Sequence, residues 1–155
     1  MLGRNSLVQW AYVVLSVRLE RCSPKENDVA AVTIIIALAL IEYSVFGMLV
    51  GKARGKYGVA APAVSGDPIF ERYYRVQQNT LEMLVLFIPG ILMFGHYVNA
   101  ELAAGLGVIF VVGRFLYFRG YVADPKSRTL GFVLSFLPAQ ILVIGGLIGA
   151  AMELL

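Results

Sequence analysis

Four long apolar stretches, each interrupted by few polar residues, set the plan of this chain. Val29 to Gly51 carries a single acid, Glu42, and exceeds the roughly 20 apolar residues that a helix needs to cross a bilayer. The turn signal Asp67-Pro68 precedes a second predicted helix, residues 69–98, that is polar in its first half and apolar from Met83 to Phe94. Residues 100–122 and 129–152 supply two more spans, parted by Asp124 and Pro125. Pro89 and Pro138 fall inside the second and fourth spans and predict kinks, which membrane bundles tolerate. The pattern predicts an all-α, integral membrane four-helix bundle, with spans at about 29–51, 69–98, 100–122 and 129–152, forming one domain over residues 29–155.

Residues 1–28 fit this plan less well. Leu7 to Leu19 is apolar enough to lie on a membrane but too short to span it. A signal peptide is the weaker reading, since no small-residue cleavage pattern follows and Arg18, Glu20 and Arg21 come directly after the apolar run. The segment is expected to be an interfacial or disordered extension.

Composition sharpens the class. Of 155 residues, 59% are hydrophobic and only 15% are charged, against about 25% charged in soluble domains. The net charge of +3 does not mark a nucleic-acid binder, because the basic residues flank apolar spans instead of forming a face with stacking aromatics. They read as topology. Lys52, Arg54 and Lys56 follow span one, and Arg119, Lys126 and Arg128 surround the third connection, whereas the second connection offers only His96 and Glu101. By the positive-inside rule the two basic connections face the cytoplasm and both termini lie opposite. The membrane would be a bacterial inner membrane or an endoplasmic reticulum. Cys22, the sole cysteine, excludes an intrachain disulfide, and with one histidine no metal site is expected.

Candidate chemistry lies on two stripes. Arg75, Asn79 and Glu82 recur at i, i+4 and i+7 on one face of the second helix as it enters the membrane. Ionisable groups cost about 2.5 to 3.5 kcal/mol each on insertion scales, so this face must meet protein or trapped water. It is either a seam that holds the bundle or a binding site. On the third span Arg114, Tyr117 and Tyr121 recur at i, i+3 and i+7. The tyrosines alone would read as interfacial belt residues. Arg114, deep in its span, needs a partner, and Glu82 is the expected one, forming a structural ion pair. With Arg128 at the start of span four, the converging cations, tyrosines, amide and carboxylate suit an anionic, peptide-like ligand.

These stripes resemble the signatures of the MAPEG proteins (membrane-associated proteins in eicosanoid and glutathione metabolism). Glu71-Arg72 through Arg75, Asn79 and Glu82 is similar to that family's second-helix motif, and Gly113-Arg114, Tyr117 and Gly120-Tyr121 to its third-helix motif. Lys52 to Val59, with Asn79 to Glu82, is most similar to the microsomal glutathione transferase 3 branch. The resemblance implies a homotrimer with glutathione bound between neighbouring subunits near the cytosolic face. By position it implies glutathione contacts from Arg75, Asn79, Glu82, Tyr117, Tyr121 and Arg128, and from Arg54 and Gln77 of the adjacent subunit. Gln77 lies about 200° around the helix from Arg75 and cannot serve the same face. Met83 stands where the family often has Tyr, so one hydroxyl contact is lost.

The implied activity is that of a membrane-bound glutathione transferase or peroxidase acting in detoxification. It would ionise the glutathione thiol for attack on a lipophilic electrophile or lipid hydroperoxide dissolved in the membrane lipid. Arg128 is the candidate activator of the thiol and Tyr117 the second. Two other functions compete. Glu42, alone in span one, could serve a small proton-coupled transporter, since an intramembrane acid is a functional candidate by default. A non-catalytic, lipid-binding member of the family is the other, against which the retained Arg75, Asn79, Glu82 and Arg128 argue.

Overall fold

A computed structural model describes residues 26–155. It contains α1 (Glu26–Tyr57), α2 (Pro68–Tyr97), α3 (Ala100–Ala123), a 3-10 turn (Pro125–Arg128) and α4 (Thr129–Glu153). At 1.5 Å per residue the shortest of these helices is about 36 Å long, more than the roughly 30 Å of a bilayer's hydrocarbon core. All four are long and apolar enough to cross a membrane. The chain is a multi-pass, all-α membrane bundle.

Local chemistry explains the boundaries. Asp67 caps α2, its carboxylate accepting from the backbone N–H groups of Ile69 and Phe70, with Pro68 in the first turn, where its missing N–H costs nothing. Asn99 caps α3 in the same way by accepting from Leu102. Both α2 and α4 run without a break through Pro89 and Pro138. Two boundaries differ from the sequence reading. Residues 26–28, expected in the extension, begin α1, and the remainder of that extension, residues 1–25, lies outside the described residues. Lys52, Arg54 and Lys56, expected in a loop, ride on the last turns of α1. Lys and Arg are good helix formers and favour the negative end of the helix dipole, so the helix continues past its apolar part.

The helices alternate in direction. Val50 and Ala53 at the end of α1 pack with Phe70 at the start of α2. Phe87 of α2 stacks on Phe110 of α3 with ring centroids 3.8 Å apart, in a core completed by Ala139 and Leu142 of α4. The α3–α4 crossing is closer still. A Cβ on Gly113 would stand 2.7 Å from the backbone nitrogen of Ser135, and one on Gly131 would overlap the Tyr117 backbone. Two glycines thus let the two backbones touch, the close approach that membrane helices use in place of a hydrophobic driving force.

Candidate functional site

The two stripes join into one ladder. Arg114 is fully buried; its Nη1 donates to Asn79 Oδ1 at 3.1 Å and its Nη2 to Thr80 Oγ1 at 2.7 Å. Asn79 Nδ2 in turn donates to Glu82 Oε2 at 3.2 Å. Toward the basic end, the Arg114 guanidinium lies 4.2 Å from the Tyr117 ring centroid, Tyr117 contacts Tyr121 at 5.5 Å, and the Arg128 guanidinium stands 5.5 Å from the Tyr121 ring. Charge, amide and aromatic faces therefore run continuously from Glu82 to Arg128 across α2, α3 and the head of α4.

The expected ion pair between Arg114 and Glu82 takes another form. Asn79 stands between them, because α2 offers its amide and the Thr80 hydroxyl at the two terminal nitrogens of Arg114. Thr80 escaped the sequence reading. Its hydroxyl also donates to the Val76 carbonyl one turn back, the habit of any helical threonine, so nothing in the pattern marks it.

Above the ladder opens a cleft of about 550 Å³, lined by Glu71, Arg72, Tyr74, Arg75, Gln78 and Tyr121, among others. It brings together Arg75 and Tyr121. Arg72, to which the motif alone assigns no role, donates from Nη1 to the carbonyls of Val122 at 3.1 Å and Ala123 at 3.0 Å, closing the last turn of α3. Arg75, Glu82 and Arg128 are exposed, while Tyr117 is buried at 3% exposure. Arg54 and Gln77 stand outside the cleft. Arg54 Nη1 holds the α1–α2 connection through the carbonyls of Val59 (3.1 Å) and Ala63 (2.7 Å), with its guanidinium over Phe70, and Gln77 rests against Gly47 of α1. Met83 points into the core, so position 83 presents nothing to a ligand beside Glu82. Among the described residues no group of three His, Cys, Asp or Glu could hold a metal ion.

Residues 30–148, all four helices and the ladder included, match the MAPEG family. The chain belongs to the MAPEG family. Similar MAPEG proteins include microsomal glutathione S-transferase 2 from Homo sapiens, 44% identical over 79% of this chain and 81% of the relative. An uncharacterized protein from Synechocystis is 45% identical over 78% of this chain and 88% of its own length. Leukotriene C4 synthase from Cavia porcellus is 30% identical over 74% and 88%. These relatives overturn the expected placement in the microsomal glutathione transferase 3 branch. That placement leaned on Lys52 to Val59, which begins with a basic helix end of the kind that topology asks of membrane helices in general, together with Asn79 to Glu82.

Proposed function

We propose that this protein is a membrane-bound glutathione transferase, with peroxidase activity toward lipid hydroperoxides, working as a homotrimer. One observation carries the reading. A charged ladder and an open basic cleft lie on helices apolar enough to cross a membrane, and their outermost members, Arg75, Glu82 and Arg128, stay exposed among the described residues. Such groups need partners in the membrane. A tripeptide with two carboxylates, an ammonium and a thiol meets that need, and so does a neighbouring subunit closing over it. The relatives named for glutathione S-transferase support the choice of ligand. The basic ends of the helices, by the positive-inside rule, turn the cleft to the cytoplasm, whether the membrane is a bacterial inner membrane or the endoplasmic reticulum.

The roles follow from charge and position. Arg75 binds a glutathione carboxylate, and Glu82, oriented by Asn79, takes the ammonium. Arg54 and Gln77 contribute from the neighbouring subunit. Arg128, the exposed cation at the cleft end of the ladder, meets the sulfur. A thiol with pKa about 8.5 is only a few per cent ionised at neutral pH, and lowering that pKa by about two units takes about 2.7 kcal/mol. One guanidinium about 4 Å away supplies ~4 kcal/mol at an effective dielectric of 20, before desolvation is set against it. A single arginine therefore suffices. The thiolate then forms a C–S bond with a lipophilic electrophile, breaking the electrophile's C–O bond or activated double bond so that the electron pair passes to oxygen or to carbon and is protonated from water, or two glutathiones reduce a hydroperoxide to an alcohol and water and leave as their disulfide.

Glutathione titration of the detergent-solubilised protein tests the reading directly. Saturable binding, with the ultraviolet absorbance of the thiolate rising as glutathione is added, is the expected result. Arg75→Ala should weaken binding about tenfold with little change in kcat, since a carboxylate contact is made equally in ground and transition states. Absence of binding by the wild-type protein would sink the proposal.

A shared pocket predicts complementation. Inactive Arg128→Ala chains mixed with inactive Gln77→Ala chains should recover part of the activity, because some interfaces then receive both native residues. No recovery in demonstrably mixed trimers would count against a site built from two chains.

A further inference from the structure

Arg114 has a nitrogen that the ladder does not use. Its Nε is buried and, among the described residues, has no hydrogen-bond partner, while α2 occupies Nη1 and Nη2. Leaving a buried charged group only partly satisfied is costly. Glu82 does not relieve it, since Asn79 intervenes.

The register of α1 against α3 identifies what faces Arg114 from the other side. The two helices run parallel and meet at two well-separated points. Phe46 stacks on Phe118 with centroids 4.8 Å apart, and Ile35 packs so closely on Gly107 that a Cβ there would stand 2.5 Å from its Cγ2. Both contacts join residues 72 positions apart, 46 to 118 and 35 to 107. Between them the same offset pairs residue 42 with residue 114, one helical turn before the stacked phenylalanines on each helix. Position 42 also belongs to the inward face of α1, whose other members Ile35, Ala39 and Phe46 are buried. Glu42 itself is half-buried.

We propose that Glu42 of α1 is the countercharge of Arg114 and a positioning residue for the ladder, the pair closing through the free Nε side of the guanidinium. The inference rests on the proposed function for its catalytic meaning but not for its geometry. With Glu42 balancing Arg114, Glu82 keeps its negative charge for a ligand ammonium. Arg114 is then held from both sides, by α1 through charge and by α2 through hydrogen bonds, and it orients Asn79 and through it Glu82. The lone acid of α1 has a partner inside the bundle, which leaves it no free role on a cation path.

A melting cycle on the full-length protein in detergent, without glutathione, tests the pair. Glu42→Gln and Arg114→Gln should each lower Tm by about 10 °C, as expected when one member of a buried pair is left alone. The double variant removes both charges and should melt clearly above the sum of the two losses. Simple additivity, or a Glu42→Gln protein that melts like wild type, overturns the pair. If either single variant fails to fold, the double decides: its recovery as a folded protein supports the pair, and its failure to fold overturns it.

The positioning role has a separate readout. Glu42→Gln should raise the Kd for glutathione roughly tenfold while kcat at saturation changes little, and Glu42→Asp should recover part of that affinity. Unchanged affinity in Glu42→Gln would reduce the pair to structure alone and overturn the positioning role. Failure of the wild type to bind glutathione would overturn the proposed function, while the melting cycle would still decide the pair.

Discussion

Replacing Arg128 by Ala is expected to lower kcat at neutral pH about twenty-five-fold while the KM for glutathione moves by no more than about threefold. The factor is the ratio of thiolate at neutral pH between a thiol lowered by about two units, which is mostly ionised, and one left at about 8.5, which is ionised to a few per cent. The split between the constants follows from where the interaction is made, for a cation beside the sulfur acts on the thiolate and barely on the thiol. Arg128 is exposed at the head of α4, where among the described residues its side chain makes no capping hydrogen bond and its guanidinium stands against the Tyr121 ring, so its loss should leave the bundle intact. The pH profile supplies the sign. The variant should gain rate as pH rises toward the thiol's own pKa of about 8.5, where ionisation needs no help, while the wild type should already be level. Lysine at this position should keep part of the activity, since a point charge still favours the anion. Thiolate absorbance and kcat that survive Arg128→Ala would move the activating role to Tyr117, with Tyr117→Phe as the next measurement.

Gly131→Val should prevent formation of a stable bundle. At this position even a methyl group overlaps the backbone of Tyr117, and backbone cannot rotate away as a flexible side chain can. Overpacking that side chains absorb costs about 1 to 3 kcal/mol, and a clash with backbone lies at or above the top of that range. To admit valine, α3 and α4 must separate, and the separation begins at Tyr117, the centre of the ladder. The expected result is aggregation or loss of a defined peak on gel filtration in mild detergent. Gly51→Ala and Gly105→Ala, where an added Cβ meets nothing within 4 Å, are the controls and should melt like wild type. A well-folded Gly131→Val protein would mean that the two helices do not meet where the fold has them.

The plan of four helices was legible because each span is uniformly apolar over a length that only a membrane explains, and Asp67-Pro68 and Asp124-Pro125 mark breaks that caps and prolines physically require. The ladder was legible in part. Arg75, Asn79 and Glu82 share a face of α2 by their own spacing, and Arg114, Tyr117 and Tyr121 share a face of α3 in the same way. Spacing within a helix says nothing about register between helices, however. The pairing of Arg114 therefore had to be guessed, and Asn79, Thr80 and the facing Glu42 emerge only once α1, α2 and α3 are set side by side. Arg72 stayed hidden for a similar reason, since its partners are backbone carbonyls at the far end of another helix, which no side-chain pattern can report. The branch of the family was not legible in Lys52 to Val59 and Asn79 to Glu82, since a basic helix end meets a general demand of membrane insertion and Asn79 and Glu82 belong to the ladder itself.

The stitch that Arg72 makes between the first turns of α2 and the last carbonyls of α3 has a consequence for traffic. It pins those two helix ends together beside the cleft, and the backbone contacts at Gly113 and Gly131 shut the neighbouring seam between α3 and α4. Neither seam can part there without breaking charge-assisted hydrogen bonds or lifting backbone off backbone. A hydrophobic molecule arriving from the bilayer therefore has no portal through this end of the bundle on either side of α3. In the homotrimer we propose, its route to Arg128 would run along the outer surface of the helices, so that the width of the groove between adjoining copies, more than any opening within one, would set the girth of what is admitted.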